Sequence, residues 1–525
     1  MRTTQVTQIN ETALQRALDL LMIRFMGPGG VAGVVKDGKV VARRAWGYCD
    51  IGGRKPMSGT TRLPICSITK QFTCGVLLDQ VAAPATLGDQ VAKFLPNFRD
   101  PLPTVKQLCD NQSGLRDYWA LTILHGAFPE QEFRRQDALP LLARMKTGHF
   151  PPGAAYSYCN NNFRIVAELI EAATGRAMAD LYAERIFAPA GMETAALLPD
   201  TRSPADGVVG YEGNDETGYL PAENGIYWIG DAGISASLDD MLAWEAYIDA
   251  TRDDPDGIYN RLSAPPTFVD GTPATYGYGL AHDTVAGVKT TGHGGALRGF
   301  RAHRLNAASE RLSVVVMFNH EGDARGAAVS LFEAALGFVV TEIAGSPHGW
   351  EGLWLDEAQG LLVRATPEVD GVTLRYATTP AKLTVEADGV VQGSGISLQR
   401  DGVNLSMRRE SENLDVIAKS LTPVEVADGL IIAGRYWSDE LEAGLSIDFR
   451  DGGTFAGFDG MLGAGPMERM YPVAVDVWVI TTRRSMDASA PGDWTVQVRR
   501  DETGSVIGLT VGCWLARRIE YRRSA

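Results

Sequence analysis

Apolar and polar positions follow different patterns along this chain, and each pattern predicts a different kind of structure. The N-terminal stretch "NETALQRALDLLMIRF" repeats its apolar residues at helical spacing and predicts an amphipathic helix that begins near Asn10. Segment 31–50 contains two β-rich runs on either side of Asp37-Gly38, which is a strong short-range signal for a hairpin. Segment 276–319 reads as consecutive strands, and segment 326–343 reads as a helix.

Helices and loops are predicted for the long segment between these two groups of strands, as far as about Asp240. Strands at both ends of a helical region indicate one antiparallel sheet that is assembled from distant pieces of chain, with helices packed on it. The sequence therefore predicts an α+β domain of catalytic type over residues 1–343.

The pattern changes after "AGSPHG" at 344–349. From residue 350 onward, short alternating runs predict strands and almost nothing is helical. Turns are predicted at Asp370-Gly371, Asp388-Gly389, Asp401-Gly402 and Asp451-Gly452. Repeated hairpins of this kind are typical of β-barrels and sandwiches. One large barrel or two small ones would fit, and we favour two antiparallel barrels, over 350–424 and 425–525, because a strand pattern restarts after a loop at 423–427.

Length, charge and cysteine usage narrow the class of protein. A chain of 525 residues predicts roughly two to four domains. The net charge is −15, and no cluster of basic residues dominates, which argues against a nucleic-acid partner. No segment resembles a secretory signal or a membrane span. The six scattered cysteines contain no C-x-x-C pair, so we expect reduced thiols and a cytoplasmic protein.

The stretch "LPICSITKQFT" at 63–73 suggests a catalytic nucleophile, Ser67, with its base, Lys70. Residues three apart on a helix lie on the same face and can share a hydrogen bond. A deprotonated amine beside a serine hydroxyl can activate it, and the start of a helix favours developing negative charge. Ser-x-x-Lys alone proves little, since it is expected on the order of once by chance in a chain this long.

Two further stretches supply candidates for the remaining chemistry. In "PPGAAYSYCNNNF" at 151–163, Tyr158 can relay a proton and Asn160 can bind a substrate amide. In "GHGGALRGF" at 292–300, we place His293 on an edge strand, and the next two glycines leave room for a substrate main chain. A backbone N–H near Gly295 is expected to pair with that of Ser67 as an oxyanion hole. Each motif alone is common and can be explained by an ordinary structural role.

The order of the three motifs resembles that of the penicillin-binding, serine β-lactamase-like superfamily, in its class C branch. The stretches "TVKQLCDNQSGLRDY" and "GYGLAHD" also look like landmarks of that family. The resemblance covers roughly residues 10–340. It implies an antiparallel sheet of five or more strands flanked by helices, and a covalent acyl-serine intermediate.

The third motif departs from the family pattern in an informative way. Relatives that recognise penicillin typically carry Lys-Thr-Gly or a similar hydroxyl-bearing triad there, whose cation and hydroxyl bind a substrate carboxylate. His293-Gly294-Gly295 supplies no hydroxyl and at most a partial charge. We therefore expect an amine-terminated, amide or ester substrate in preference to a β-lactam or a DD-peptide.

A catalytic unit followed by two small β-domains looks like the D-stereospecific aminopeptidase group of the superfamily. In that group, a loop of the last barrel enters the cleft and contacts the substrate amine. The corresponding loop here is "RRSMDASAPGD" at 483–493, in which Asp487 is a better candidate than Asp493. An aspartate in a loop more often caps a turn, so this assignment depends on the resemblance.

The resulting prediction is a serine aminopeptidase that releases small N-terminal D-residues, such as D-Ala, from peptides, amides and esters. A short-chain esterase that uses Ser67, Lys70 and Tyr158, a DD-peptidase or β-lactam-binding protein, and a non-catalytic binding protein are the alternatives. No H-E-x-x-H and no G-x-S-x-G motif is present, which disfavours metal-dependent and α/β-hydrolase chemistry. No cofactor, metal, nucleic acid or membrane is expected as a partner, and a homodimer is left open.

Overall fold

An antiparallel sheet organises the first part of the chain, as predicted, and it has eight strands. The computed structural model describes residues 9–338, 349–369, 371–386, 389–481, 485–488 and 492–524. In chain order, the helices of these residues are α1 (Glu11–Arg24), α2 (Thr69–Gln80), α3 (Val105–Cys109), α4 (Tyr118–Leu124), α5 (Arg135–Ala143), α6 (Asn160–Thr174), α7 (Met178–Tyr182), α8 (Ala188–Ala190), α9 (Leu238–Ala250), α10 (Ile258–Leu262) and α11 (Ala324–Leu336).

The strands of the N-terminal domain come from both ends of residues 29–318. They are β1 (Gly29–Lys36), β2 (Lys39–Asp50), β3 (Lys55–Pro56), β4 (Leu63–Pro64), β5 (Ala196–Leu197), β6 (Tyr211–Asn214), β7 (Gly218–Pro221), β8 (Ile234–Ala236), β9 (Tyr276–Gly277), β10 (Leu280–Val285), β11 (Val288–Leu297), β12 (Phe300–Ala307) and β13 (Leu312–Phe318). The main sheet has the order β3-β2-β1-β13-β12-β11-β10-β9. The pairing of β1 with β13 therefore joins the two distant segments, as the sequence predicts.

Helices cover both faces of this sheet. Leu14 and Leu18 of α1 and Leu331 of α11 belong to a core on one face. Phe72 of α2 and Ile165 of α6 belong to the larger core on the other face. The site described below lies where α2 and α6 meet the sheet.

Two predicted elements, the Asp37-Gly38 hairpin and the helix at 326–343, can be compared directly with the structure. The Asp37-Gly38 hairpin is present, with φ of 51° and 73° at these residues, as a tight two-residue turn requires. The helix expected over 326–343 begins at Ala324 and ends at Leu336, because Gly337 takes the left-handed conformation (φ 72°) that terminates a helix. The remainder of that prediction, from 339 onward, lies outside the described residues.

Two antiparallel barrels follow. The first is closed and contains β14 (Gly352–Asp356), β15 (Leu361–Glu368), β16 (Gly371–Arg375), β17 (Ala381–Val385), β18 (Val391–Gly393), β19 (Ile396–Asp401), β20 (Asn404–Arg409) and β21 (Leu414–Ser420). The second contains β22 (Gly434–Ser438), β23 (Ala443–Arg450), β24 (Gly453–Gly460), β25 (Gly463–Ala464), β26 (Glu468–Ala474), β27 (Val477–Ile480), β28 (Trp494–Arg500), β29 (Val506–Cys513) and β30 (Ala516–Arg523). A pairing of β23 with β24 closes it.

The predicted turns fall between these strands. Asp451-Gly452 joins β23 to β24, and Asp401-Gly402 lies where β19 passes into β20. Residues 370, 387 and 388 lie outside the described residues, so the turns predicted there are only partly covered. The domain boundary at 343–350 also falls mostly outside them, and the division at 424–425 stays a prediction.

All six cysteines are buried and none forms a disulfide. Within the described ranges, no helix combines the length and the apolar character that crossing a membrane requires. The cytoplasmic location and the homodimer stay predictions.

One ion pair lies entirely inside the N-terminal domain, and its removal tests how the core is held. The Arg304 guanidinium contacts the Glu245 carboxylate through two nitrogens, and neither side chain is exposed. Glu245→Ala leaves a buried, unpaired cation, so we expect a loss of about 3–5 kcal/mol in the free energy of unfolding. Urea denaturation followed by tryptophan fluorescence measures this loss. Asp283→Ala breaks the exposed pair with Arg325 and is the control, with an expected loss below about 1 kcal/mol. Equal losses would contradict the interpretation.

Candidate active site

Ser67 lies in a 3₁₀ turn that leads directly into α2. The turn spans Cys66–Ile68, and Cys66 has a φ of 51°, which is unfavourable for a residue with a side chain. Such local strain is found preferentially at functional sites. Burial raises the pKa of the Cys66 thiol to about 12, so this neighbour stays protonated. Ser67 itself is half-buried and remains accessible.

Lys70 lies one turn along α2 and is completely buried. Its Nζ donates to Ser67 Oγ at 2.9 Å, to Asn160 Oδ1 at 2.9 Å and to the Asp231 carbonyl at 2.8 Å. Burial lowers the pKa of Lys70 to about 8, although nearby carboxylates oppose this shift. The amine is therefore much easier to deprotonate than an ordinary lysine.

Asn160 is the first residue of α6, and a buried carboxyl group orients it. Asp117 accepts hydrogen bonds from the Asn160 backbone N–H at 2.6 Å and from its Nδ2 at 2.9 Å. This leaves Oδ1 of Asn160 aimed at Lys70. Burial raises the pKa of Asp117 to about 7. Sequence reasoning missed Asp117, although it lies in a stretch that resembles a family landmark.

Tyr158 lies beside Lys70 in the loop that precedes α6. Lys70 Nζ is 5.0 Å from the centroid of its ring. Burial raises the pKa of the Tyr158 phenol well above its usual range, and the hydrogen bond with Ser67 opposes this shift. The phenol therefore stays protonated while the neighbouring amine can lose its proton. Opposite shifts in adjacent groups are typical of an acid–base pair.

His293 lies on β11, which is an edge strand over only half of its length. Residues 288–292 pair with β10 and residues 291–297 pair with β12, so residues 293–297 have a neighbouring strand on one side only and His293 lies on the edge part of β11, as we placed it. His293 Nε2 is 2.9 Å from the hydroxyl of Tyr276, and Nδ1 faces the Gly294 carbonyl. Burial lowers the pKa of His293 to about 3, so the ring is neutral.

Gly295 brings the strand against the turn that carries Ser67. A Cβ atom at Gly295 would lie 2.3 Å from the carbonyl oxygen of Ile65, so no other residue fits here without movement. The backbone of β11 and the start of α2 therefore form adjacent walls of one cleft.

Asp487 of the second barrel also reaches this cleft. Its carbonyl accepts a hydrogen bond from the Arg298 N–H at 2.9 Å, just beyond the end of β11. Its carboxylate accepts a hydrogen bond from Ser485 Oγ at 2.6 Å. Burial raises the pKa of Asp487 to about 6, and its charge acts on the pKa of Lys70. The rest of the predicted loop is covered only at 485–488 and 492–493.

Two further residues of the cleft were missed, Asp231 and Tyr276. Asp231 supports Lys70 through its backbone carbonyl, and its side chain accepts a hydrogen bond from the Tyr118 hydroxyl at 2.7 Å. No local sequence pattern identifies a residue that acts through its backbone carbonyl, as Asp231 does. The same is true of Tyr276, which reaches the site from another strand, β9. Among the described residues, no three His, Cys, Asp or Glu side chains form a group suited to a metal ion.

Comparison with protein families matches two parts of the chain. Residues 18–336 match the model described as β-lactamase, and residues 344–522 match the model described as D-aminopeptidase, domain B. A D-aminopeptidase of Cereibacter sphaeroides is 66% identical over 97% of this chain and 99% of its own. A D-aminopeptidase of Brucella melitensis is 49% identical over 95% of this chain and 96% of its own.

Solved structures share the fold. The octameric penicillin-binding protein homologue from Pyrococcus abyssi is 20% identical, with a TM-score of 0.55, and covers 77% of this chain and 99% of its own. The D-amino acid amidase from Ochrobactrum anthropi in complex with D-phenylalanine is 19% identical, with a TM-score of 0.51 over 62% and 98%. At these identities, the likeness concerns the fold alone.

The depressed pKa of Lys70 makes stability depend on pH in a defined direction. Between about pH 8 and the ordinary lysine pKa near 10.4, the unfolded chain holds a proton that the folded chain has lost, so stability rises with pH in this window. Lys70→Met removes the titrating group. We expect the stability difference between Lys70→Met and the wild type to shift by roughly 3 kcal/mol in favour of the wild type across this window. Urea denaturation at pH 7 and pH 10.5 measures the shift, and parallel curves would contradict it.

Proposed function

The chain belongs to the D-aminopeptidase family of the β-lactamase-like serine hydrolases, and from this premise we propose that it releases small N-terminal D-residues, such as D-Ala, from peptides, amides and esters. The observation that carries the proposal is the position of the Asp487 carboxyl group, which lies in the cleft close enough to act on the pKa of Lys70. A carboxylate there suits the ammonium group of a substrate. The preference for D-residues is supported by the family.

Ser67 is the nucleophile in this proposal, and Lys70 is its base. When Lys70 is neutral, its Nζ accepts the proton of Ser67 Oγ across the 2.9 Å contact, and Oγ attacks the substrate carbonyl. The backbone N–H groups of Ser67 and of β11 near Gly295 stabilise the oxyanion. Asn160 holds Lys70 in place and contacts the substrate amide.

Tyr158 donates the proton that the leaving amine needs. Its raised pKa keeps it protonated, and it lies against both Ser67 and Lys70. Expulsion of the amine leaves an acyl-serine ester. The proton that Lys70 took from Ser67 then passes to the Tyr158 phenolate, which restores the neutral amine and the phenol. Water attacks the ester and loses a proton to Lys70, which returns it to Ser67 Oγ as the free D-residue leaves.

The lack of charge on the His293 ring supports the aminopeptidase proposal. Because its pKa is lowered to about 3, the ring carries no charge at neutral pH and does not attract a substrate carboxylate. Its contact with Tyr276 fixes the wall of aromatic rings behind Tyr158. In this proposal, His293 positions the catalytic tyrosine.

Ser67→Ala should abolish turnover and leave the fold intact, since the hydroxyl makes no capping hydrogen bond at the start of α2. Activity is measured as D-Ala release from D-alanine p-nitroanilide. In the wild type, mass spectrometry with a slow substrate should locate an acyl adduct on the peptide that contains Ser67. Ser58→Ala, a similar change in a turn held by Thr60 and Thr61, is the control with full activity. An adduct on a cysteine peptide would refute the mechanism.

Asp487→Asn removes a charge and keeps the shape, so it tests recognition of the ammonium group. We expect kcat/KM for free-amine D-alanyl amides to fall by roughly ten- to a hundredfold, the value of a charged hydrogen bond. N-acetylated and simple ester substrates should lose nothing. Asp493→Asn alters the exposed acidic residue of the same loop and should change neither substrate class.

The pH profile provides a second measurement of the same role. Protonation of Lys70, with its pKa of about 8, lowers kcat/KM for all substrates as the pH falls, so the ratio of kcat/KM between amine-bearing and amine-free substrates isolates Asp487. Because the pKa of Asp487 is raised to about 6, this ratio should fall as the pH falls through about 6 in the wild type and stay constant in Asp487→Asn. An unchanged ratio between amine-bearing and amine-free substrates would favour the esterase alternative.

A further inference from the structure

A groove with a volume of about 1140 Å³ separates the N-terminal domain from the first barrel. Its lining includes Tyr156, Tyr276 and Thr291. Pro265, Pro266 and Ala274 of the N-terminal domain and Thr379 and Ser411 of the first barrel also line it. Pockets for drug-sized ligands occupy about 300–1,000 Å³, so this groove has room for several amino-acid residues.

The groove adjoins the candidate active site, because a smaller cavity of about 210 Å³ that is lined by Tyr158 and His293 shares Tyr156 and Tyr276 with it. The hydroxyl of Tyr276 is 2.9 Å from His293 Nε2, and its ring centroid is 6.3 Å from that of Tyr158. The Tyr156 ring lies 5.5 Å from Tyr276 on the same wall. The aromatic wall behind the catalytic tyrosine is therefore also the inner wall of the groove.

The direction of β11 shows which end of a substrate reaches the groove. Asp487 lies at the C-terminal end of the strand, at Arg298, and Gly295 faces the Ser67 turn. Thr291 lies four residues before Gly295, which places it about 13 Å along the strand in the direction away from Asp487. If the substrate ammonium lies at Asp487, the part beyond the scissile bond must point toward Thr291 and the groove.

We propose that this groove binds the peptide on the leaving side of the scissile bond, as a short main chain of several residues. The inference rests on the proposed aminopeptidase function and extends it to substrate length. Charged groups of both signs line the groove and pair with each other, as Arg311 does with Asp249 and Arg325 with Asp283. This balance suits a peptide main chain better than a ligand with a single dominant charge.

The first barrel holds the outer wall of the groove in place. The carbonyl of Glu412 accepts a hydrogen bond from the Tyr156 N–H at 3.3 Å, and Asn413 Nδ2 donates to the Ala154 carbonyl at 3.2 Å. The loop between β20 and β21 is thus tied to the segment that leads to Tyr158. The first barrel therefore supplies a binding wall for the leaving peptide.

A substrate series tests the proposal with the wild-type enzyme. D-Ala-NH₂ releases only ammonia and leaves the groove empty, whereas D-Ala-(Gly)ₙ with n from 1 to 4 fills it progressively. We expect kcat/KM for D-Ala release to rise at least tenfold between n of 1 and n of 4, since binding of remote substrate parts accelerates the reaction. A flat series would overturn the proposal.

Two variants test whether the gain in kcat/KM with longer substrates comes from binding in the groove. Ser411→Trp and Thr379→Trp each place a large side chain in the groove from the first barrel, and Ile417→Trp alters an outward residue of that barrel, 72% exposed, as the control. We expect the two groove variants to lose at least tenfold in kcat/KM for D-Ala-Gly₄ and less than twofold for D-Ala-NH₂. An unchanged ratio of the two substrates, or an equal loss on both, would overturn the groove assignment. Failure of the wild type to cleave D-Ala-NH₂ would instead refute the proposed function.

Discussion

The complete burial of Lys70 is the constraint on which the active site depends. An ammonium group that leaves water needs partners inside the protein, and Lys70 finds them in Ser67, Asn160 and the carbonyl of Asp231. The same burial lowers its pKa to about 8. One structural requirement therefore both orients the lysine toward the serine and prepares it to accept a proton.

The barrels contribute to this arrangement from outside the N-terminal domain. The Asp117 N–H donates to the Leu515 carbonyl of the β29–β30 hairpin at 3.0 Å, and the carboxylate of Asp117 orients Asn160. The neighbouring Trp514 packs in the core of the first barrel. A single hairpin thus connects both barrels to the residue that positions the amide beside Lys70.

The charges around Lys70 support the proposed preference for an amine substrate. Asp117, Asp231 and Asp487 all act on the pKa of the lysine and favour its charged form, while His293 is neutral. Apart from Lys70, none of these groups supplies a positive charge for a substrate carboxylate. In the proposed function, a substrate ammonium instead meets a carboxyl group, which agrees with the absence of a Lys-Thr-Gly motif at 293–295.

The sequence by itself determined the division into an α+β domain and two barrels, because periodicity and turn residues act locally. It also indicated Ser67, Lys70, Tyr158 and Asn160, because the members of each pair lie within three residues of each other and the order of the motifs resembles that of the superfamily. Only the tertiary structure brought in Asp117, Asp231 and Tyr276, and only it showed that β10 pairs with the first half of β11. The contacts of Asp117 with Asn160 and of Lys70 with the Asp231 carbonyl join residues that are 43 and 161 positions apart. Such proximity follows from the packing of whole elements, which no local pattern encodes.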